Sequence, residues 1–300
     1  MRHLTILMPL HNTWFKRLAI ASLALLLTGC SLITLGYGRL PMVAQWRLDA
    51  MFELSAEQSR QVRPQLDRWL AWHRQAHMPQ YAAMLQRWQT LAVQDLTPQQ
   101  VCAEFEPIRQ WADEAVQQLL PALVPIATSL TPAQMEHWGR HQARKDEEFL
   151  AEFGSIIKAS ANSNAASAVN AKRLQRAIER AEMFYGPLTP AQRDWLAQRL
   201  ARSTFDAQRV VQERQRRQAD AVQAVQSIQA GANPMLTLQQ VWQRNQQSPN
   251  PTYAAYSQRM VQDGCTQLAE LHNQTTPEQR RLAVQKLQGF ERDVLSLAGR

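Results

Sequence analysis

The stretch Leu130-Thr131-Pro132-Ala133-Gln134 decides the fold, because it is one of six versions of a single helix-starting phrase. The hydroxyl of Thr131 can accept a hydrogen bond from the backbone N–H of Gln134, and the Gln134 side chain can reach back to the cap N–H. Pro132 is tolerated after the cap, since its missing N–H would have no partner inside the helix. The other versions are Leu54-Ser55-Ala56-Glu57-Gln58, Leu96-Thr97-Pro98-Gln99-Gln100, Leu188-Thr189-Pro190-Ala191-Gln192, Leu236-Thr237-Leu238-Gln239-Gln240 and Thr275-Thr276-Pro277-Glu278-Gln279.

Helical periodicity between these caps predicts an all-α fold, a multi-helix bundle built as one domain or as two helical subdomains. The caps are unevenly spaced, which excludes a regular repeat protein. The sequence lacks the long alternation of β-branched and aromatic residues that would indicate strands. The predicted helices are 56–77, 80–94, 98–120, 132–150, 169–185, 190–203, 206–230, 238–247, 251–272 and 277–298.

The least patterned segment is 154–170, which is rich in Ala, Ser and Asn. Such a composition between periodic segments is typical of a loop. We therefore predict a loop or boundary at 154–170, between an N-terminal helical region at 41–153 and a C-terminal one at 171–300.

The beginning of the chain has the pattern of a secretory signal. Lys16 and Arg17 precede an apolar run from Leu18 to Leu27, which is too short for a stable transmembrane helix. The run ends in Leu27-Thr28-Gly29-Cys30, which resembles the lipobox of bacterial lipoproteins. That resemblance implies a signal peptide at 1–29, cleavage between Gly29 and Cys30, and acylation of Cys30 with palmitate-type chains, so that 30–40 is a lipid-anchored tether.

The residue after the lipidated cysteine is Ser31, whereas proteobacterial lipoproteins retained in the inner membrane typically have Asp there. By that resemblance, we expect the protein on the periplasmic face of the outer membrane. Removing residues 1–29 lowers the net charge from +8 to +5, because only Arg2, Lys16 and Arg17 are lost. This diffuse charge and the compartment argue against nucleic acid as a partner.

Two cysteines remain after lipidation, Cys102 and Cys265. An even pair in an oxidising compartment favours a disulfide. The alternative is two buried free thiols, because both residues lie among apolar neighbours at helical spacing.

Two histidine pairs have the spacing of metal ligands on one helix face: His73 with His77, and His137 with His141. Neither pair has the His-Glu-x-x-His arrangement of zinc proteases. For His73, a position at the edge of the core fits the apolar row beside it better than a metal site does. We predict no bound metal and no cofactor beyond the covalent lipid.

Aromatic and basic clusters admit both a functional and a structural interpretation. Trp69, Trp72 and Trp88 stand at helical spacing with leucines, which favours core packing over a ligand-stacking platform. A run of arginines is a candidate contact for anionic lipid, although nearby acids are spaced to pair with it along a helix. These arginines are Arg209, Arg214, Arg216 and Arg217.

Several spaced elements run along the chain: Gly36-Tyr37, Trp46, Phe52-Glu53-Leu54, Trp69 to Arg74, Pro79, Tyr81, Gln100-Val101-Cys102, Lys145 to Phe149, Phe184 to Thr189 and Gln192. Together they resemble an uncharacterised family of proteobacterial lipoproteins, domain of unknown function 6279, over nearly the whole mature chain. The resemblance implies that the protein is a lipoprotein of the bacterial envelope. It implies no activity, because none is established for that family. The Leu-Thr-x-x-Gln segments are also similar to those of periplasmic chaperones and stress sensors of the Spy and CpxP type.

The sequence carries no nucleophile, phosphate-loop or dinucleotide motif, so we predict a protein that is not an enzyme. Our first hypothesis is an envelope accessory, chaperone-like or scaffold protein that binds a protein partner through its helical surface. The alternatives are a metal-dependent or other envelope hydrolase, and a protein that binds anionic lipid or the cell wall. A tether of about ten residues reaches at most ~35 Å, so the helical body must work close to its membrane.

Overall fold

The computed structural model describes residues 36–153 and 163–299, and within these ranges it contains ten helices and no strand. The predicted all-α class is therefore confirmed. The predicted signal peptide at 1–29, with its cleavage site at Gly29 and Cys30, lies outside the described residues, as do residues 154–162. The helices are α1 (Leu40–Phe52), α2 (Ala56–Leu91), α3 (Pro98–Ser129), α4 (Pro132–Phe153), α5 (Ser163–Tyr185), α6 (Pro190–Ala201), α7 (Ala207–Gln229), α8 (Pro234–Gln246), α9 (Pro251–Asn273) and α10 (Pro277–Ala298).

Residues Pro41–Arg300 form one compact unit organised around the two longest helices, α2 and α3. Helix α2 packs along α3 and α10, and α3 also packs against α7, α8 and α9. One apolar cluster joins Val62 of α2 to Ile126 of α3 and Val225 of α7. None of the helices in the described part of the chain is long and apolar enough to cross a membrane.

Two predicted helix ends were wrong because proline does not interrupt the helices. Helix α2 runs through Pro79, and α3 continues through Pro121 and Pro125 to Ser129. A proline in a helix deprives the carbonyl group four residues earlier of its partner. Pro79 and Gln75 are both exposed, so water can hydrate that carbonyl while the opposite face of α2 stays buried.

The predicted loop at 154–170 was also wrong in its second half. Helix α5 begins at Ser163, so 163–170 belong to a helix. Alanine is frequent in this segment, and its high helix propensity outweighs the cost of the serines and asparagines.

Five of the six predicted caps are capping boxes in the structure, at Ser55, Thr97, Thr131, Thr189 and Thr276. The sixth was wrong, because α8 begins four residues before the predicted start, with Asn233 as its N-cap and Pro234 as its first residue. The Asn233 side chain accepts from the N–H of Leu236, and Thr237 donates its hydroxyl to the Asn233 carbonyl oxygen. Asn-Pro is thus the stronger start signal, and it adds one turn to the helix.

Four of the capping glutamines have a second role, because they meet in pairs inside the protein. Gln58 and Gln134 form the first glutamine clasp, in which Gln134 Nε2 donates to Gln58 Oε1 at 2.8 Å and Gln58 Nε2 donates back at 3.3 Å. Gln192 and Gln279 form the second glutamine clasp, with the corresponding distances of 2.8 and 3.0 Å. Each clasp ties two helix starts together that are distant in the sequence.

The clasps leave no amide group of the four glutamines without a partner. In the second clasp, the oxygens of Gln192 and Gln279 also accept from their own cap N–H groups. Their nitrogens also donate to the carbonyl oxygens of Gln274 and Pro187. A buried amide costs little free energy only when it is fully hydrogen-bonded, and this condition is met here.

Candidate functional site

The main candidate binding feature is a cleft of about 480 Å³ between α2, α3, α5, α6, α9 and α10, which we call the apolar cleft. Its walls are mostly apolar, and several of its residues also belong to buried clusters of the core. Phe105 and Leu268 on its rim are exposed to solvent. The apolar wall residues include Trp88, Phe105, Phe184, Leu268, Leu271 and Leu287.

A neutral hydrogen-bonded pair, Tyr185 and His272, forms part of the wall of the apolar cleft. His272 Nε2 donates to the carbonyl oxygen of Gln94 at 2.9 Å, so the unprotonated Nδ1 accepts from the Tyr185 hydroxyl at 3.0 Å. Burial lowers the pKa of His272 and raises the pKa of Tyr185 to about 12. Both side chains are thus neutral at pH 7 and fully occupied with protein partners.

Two charged side chains line the apolar cleft, Glu104 and Arg180. Glu104 accepts from Trp88 Nε1 at 2.8 Å and from Arg87 at 3.2 Å, so its charge is compensated. Arg180 is exposed, and among the described residues it has no hydrogen bond or ion pair. The cleft therefore carries one uncompensated positive charge.

A disulfide between Cys102 and Cys265 braces one side of the apolar cleft. It joins α3 to α9 with 5.4 Å between the two Cα atoms, and so it corresponds to the bonded alternative of the two considered from the sequence. Its neighbours Val101 and Gly264 both line the cleft. The distance between these two walls is thereby fixed covalently.

The structure brings His73 and His77 side by side, with 4.9 Å between their ring centroids. His77 is fully buried, and its Nε2 donates to Glu114 at 3.1 Å. The Tyr81 hydroxyl lies 3.2 Å from His73 Nε2. Burial, and then the neighbouring His77, lowers the pKa of His73 to about 4. The pair thus belongs to a hydrogen-bonded polar cluster between α2 and α3.

The rings of His137 and His141 are 6.5 Å apart and do not share a common partner. His137 lies 3.1 Å from the carbonyl oxygen of Ala50 and 3.0 Å from the Glu53 carboxylate, which links α4 to the end of α1. Within residues 36–153 and 163–299, no group of three or more His, Cys, Asp or Glu side chains is arranged to hold a metal ion.

The predicted tryptophan group does not form a single platform. Trp69 donates Nε1 to the carbonyl oxygen of Ala115 at 2.7 Å and stacks on His73. Trp72 meets His77 edge to face, whereas Trp88 belongs to the wall of the apolar cleft. Trp69 therefore braces the α2–α3 interface, and Trp72 packs on the neighbouring histidines of α2.

Each of the four candidate arginines on α7 has an acidic partner inside the fold. Arg214 binds Asp146 of α4 at 2.6 Å, and Arg209 lies 3.7 Å from Asp206. The other two, Arg216 and Arg217, bind Glu213 at 2.8 and 3.1 Å, and Arg216 also binds Asp220 at 2.6 Å. We call this set the α7 charge network.

Glu213 is the centre of the α7 charge network and is almost completely buried. Burial alone would raise its pKa, but hydrogen bonds from Arg216, Ser248 and Arg217 lower it overall. Arg216 and Arg217 are thus paired with an internal carboxylate. The geometry therefore favours a surface whose charges are paired within the protein over a patch of free arginines that binds an external anion.

One further surface has unpaired apolar residues, the outer side of α1. Ala44, Leu48 and Phe52 of this helix pack against the core. On the opposite side, Met42 is 48% exposed and Trp46 is 66% exposed, with Val43 beside them. We call Met42, Val43 and Trp46 the α1 face.

Sequence reasoning missed the apolar cleft together with Arg180 and Gly264. The walls come from six helices that are spread along the chain, so no local pattern marks the cleft. One local signal was present: Gly264 stands in the interior of α9, where glycine costs about 1 kcal/mol relative to alanine. A Cβ built on Gly264 would meet nothing within 4 Å, so close helix packing does not explain this glycine.

Comparison with known proteins gives one family. The model of a family described as "Family of unknown function (DUF6279)" matches residues 50–254. Neither the curated proteins nor the solved structures contain a match to the chain. The matched range includes α2 to α8 and ends in the first turn of α9.

Proposed function

The chain belongs to the DUF6279 family of unknown function, and from that premise we propose that it is a lipid-anchored envelope protein that acts by binding at the bilayer surface. In this proposal Cys30 carries the anchor on the periplasmic side of the outer membrane. The helical body is a non-enzymatic accessory, chaperone-like or scaffold protein. The observation that carries the proposal is the α1 face.

The α1 face lies close to the anchor in the sequence, since Met42 is twelve and Trp46 sixteen residues after Cys30. A tether of about ten residues spans at most ~35 Å, so α1 cannot move far from the membrane. Tryptophan is enriched at the interface between lipid and water, where its ring is partly apolar and its N–H can reach water. An exposed Trp46 beside Met42 and Val43 therefore fits a lipid surface better than it fits bulk water.

This second contact would orient the body, not merely hold it. Acyl chains on Cys30 already supply affinity, at about 0.8 kcal/mol per buried methylene. Adding the α1 face fixes which side of the helical bundle meets the lipid and which side is offered to a protein partner.

The test is site-specific photocrosslinking in the full-length lipoprotein inserted into its native envelope. In one variant, p-benzoylphenylalanine replaces Trp46. In the matched control, it replaces Val261, another exposed apolar residue. We expect phospholipid adducts at position 46 and none at position 261. Equal lipid labelling at both positions would contradict an oriented membrane contact, and a protein adduct alone at position 46 would make the α1 face a protein interface.

The anchor and the binding role need separate tests. Cys30→Ala should release the protein from the membrane fraction, and retention of the variant would remove the anchor from the proposal. For the chaperone-like role, the Ser31–Arg300 fragment should reduce aggregation of an unfolding client. No effect at several-fold excess would remove the chaperone-like role from the proposal.

A further inference from the structure

We propose that the apolar cleft is a binding site for one long-chain fatty acid, with the hydrocarbon chain along the cleft and the carboxylate on Arg180. The proposal rests on the cleft and not on the α1 face, so it is independent of the membrane contact proposed above. Three observations carry it: the volume of the cleft, the charge at Arg180 and the open space over Gly264.

The volume fits a single acyl chain. A dry protein cavity of about 150 Å³ holds one benzene molecule, so the cleft at about 480 Å³ has room for about 19 carbon atoms. That is one long chain, and a phospholipid with two such chains would not fit. Phe105, Leu268 and Leu271 supply apolar surface, and burying that surface against a hydrocarbon chain stabilises the complex.

The charge indicates the head group. Three other polar side chains of the wall are occupied: Glu104 by Trp88 and Arg87, His272 by Gln94 and Tyr185, and Gln100 by the Thr97 cap. Gln267 also lines the wall, but its amide carries no charge. Arg180 alone among the charged wall residues lacks a partner within the described part of the chain. A guanidinium group binds a carboxylate through two parallel hydrogen bonds. The ligand should therefore be anionic at one end and apolar along its length.

Gly264 explains why the wall on α9 stays open. It is exposed, and no atom lies within 4 Å of a Cβ built at this position. Since Gly264 lines the cleft and an added Cβ would meet no atom of the core, we expect a larger side chain there to occupy part of the cleft. The disulfide one residue further, at Cys265, holds this wall at a fixed distance from α3. A preformed cleft binds more tightly, since little conformational entropy is lost on binding.

The test uses the full chain purified in a maltoside detergent, with oleate added and bound oleate measured by native mass spectrometry. Gly264→Phe should fill the cleft and lower the affinity for oleate at least tenfold. Gly139→Phe is the matched control, because Gly139 is also an exposed helical glycine with no atom within 4 Å of an added Cβ, and it does not line the cleft. Gly264→Leu repeats the test with a residue of higher helix propensity, and circular dichroism checks that each variant is folded.

Arg180→Gln tests the head group. We expect an approximately tenfold weaker affinity for oleate, the size of one lost charged hydrogen bond, and no change for oleyl alcohol. Arg259→Gln, which removes another exposed arginine outside the cleft, should leave both affinities unchanged.

Three results would overturn the proposal. Oleate that binds folded Gly264→Phe and Gly264→Leu as tightly as the unmodified chain would place the ligand elsewhere. Equal weakening of oleate and oleyl alcohol by Arg180→Gln would remove the carboxylate contact. Binding of lysophosphatidylglycerol without binding of oleate would show that the occupant is a phospholipid with one chain.

Discussion

The starts of α6 and α3 have nearly the same sequence, Leu-Thr-Pro-x-Gln, and yet they are held in place by different interactions. At α6 the capping glutamine, Gln192, is buried and paired with Gln279 in the second glutamine clasp. At α3 the capping glutamine, Gln100, is exposed and bonds only within its own cap. The comparison shows that one local signal can serve as a cap alone or as a cap and a tertiary contact.

Other interactions hold the start of α3 in place. The Asn273 side chain accepts from the N–H of Leu96 at 2.8 Å and donates to its carbonyl oxygen at 2.9 Å. Two residues after Gln100, Cys102 forms the disulfide with Cys265. We therefore expect the loss of the disulfide to affect the α3 start most, and the loss of the glutamine to affect the α6 start most.

Reducing the disulfide should have the largest effect on stability. The bond closes a loop of 163 residues, and the chain-entropy estimate for such a loop is about 5 kcal/mol of unfolding free energy. Denaturant unfolding followed by circular dichroism, with and without dithiothreitol, measures the loss. Cys102→Ala combined with Cys265→Ala is the control, because reductant should leave it unchanged. If dithiothreitol left the denaturant midpoint of the unmodified chain unchanged, the disulfide would not hold the α3 start.

Gln192→Ala should cost about 2–4 kcal/mol, the next largest effect. The change removes a cap contact and leaves the buried amide of Gln279 without its partner. The loss is measured as the shift in unfolding free energy with the disulfide intact. A cost below 1 kcal/mol would mean that water enters the second glutamine clasp and that burial does not distinguish the two helix starts.

Replacing both glutamines of the clasp sharpens the comparison further. In Gln192→Met with Gln279→Met, no buried amide is left unpaired, so the cost should be smaller than the sum of the two single changes. The single and double replacements together form a double-mutant cycle. In such cycles, residues in direct contact typically show a coupling energy of about 0.5–3 kcal/mol. In the matching double-mutant cycle for Gln100 and Gln192, which do not bond to each other, the changes in unfolding free energy should be additive. Additivity of the Gln192 and Gln279 changes would contradict a clasp.

The sequence predicted the helix starts well because a capping box is a local interaction between residues three apart. Thr97, Thr131 and Thr189 were recognisable for that reason, and only the Asn233-Pro234 start outweighed a predicted cap. Whether a capping glutamine is buried depends on another helix start some 80 residues away, and nothing in the phrase indicates this. The two clasps were therefore not predictable.

The candidate site was less predictable than the fold, for the same reason. The pairing of Arg216 with Asp220 follows from their spacing on one helix, but the partner of Arg214 is Asp146 on α4. The apolar cleft has walls on six helices, and the decisive property of Arg180 is its lack of a partner among the described residues, which only the assembled fold reveals.

Gln100→Ala should have the smallest effect, about 0.5–1 kcal/mol, because the exposed cap N–H that it leaves can bond to water. Gln100→Glu is the matched control, since glutamate also closes a capping box and should keep the unfolding free energy within about 0.5 kcal/mol of the unmodified value. Both are measured by denaturant unfolding beside Gln192→Ala. If Gln100→Ala cost as much as Gln192→Ala, the cap itself would hold the α3 start, and the disulfide and Asn273 would not be its main fixings. A small cost for Gln100→Ala beside a large one for Gln192→Ala would instead locate the difference in the clasp, since the two caps are otherwise alike.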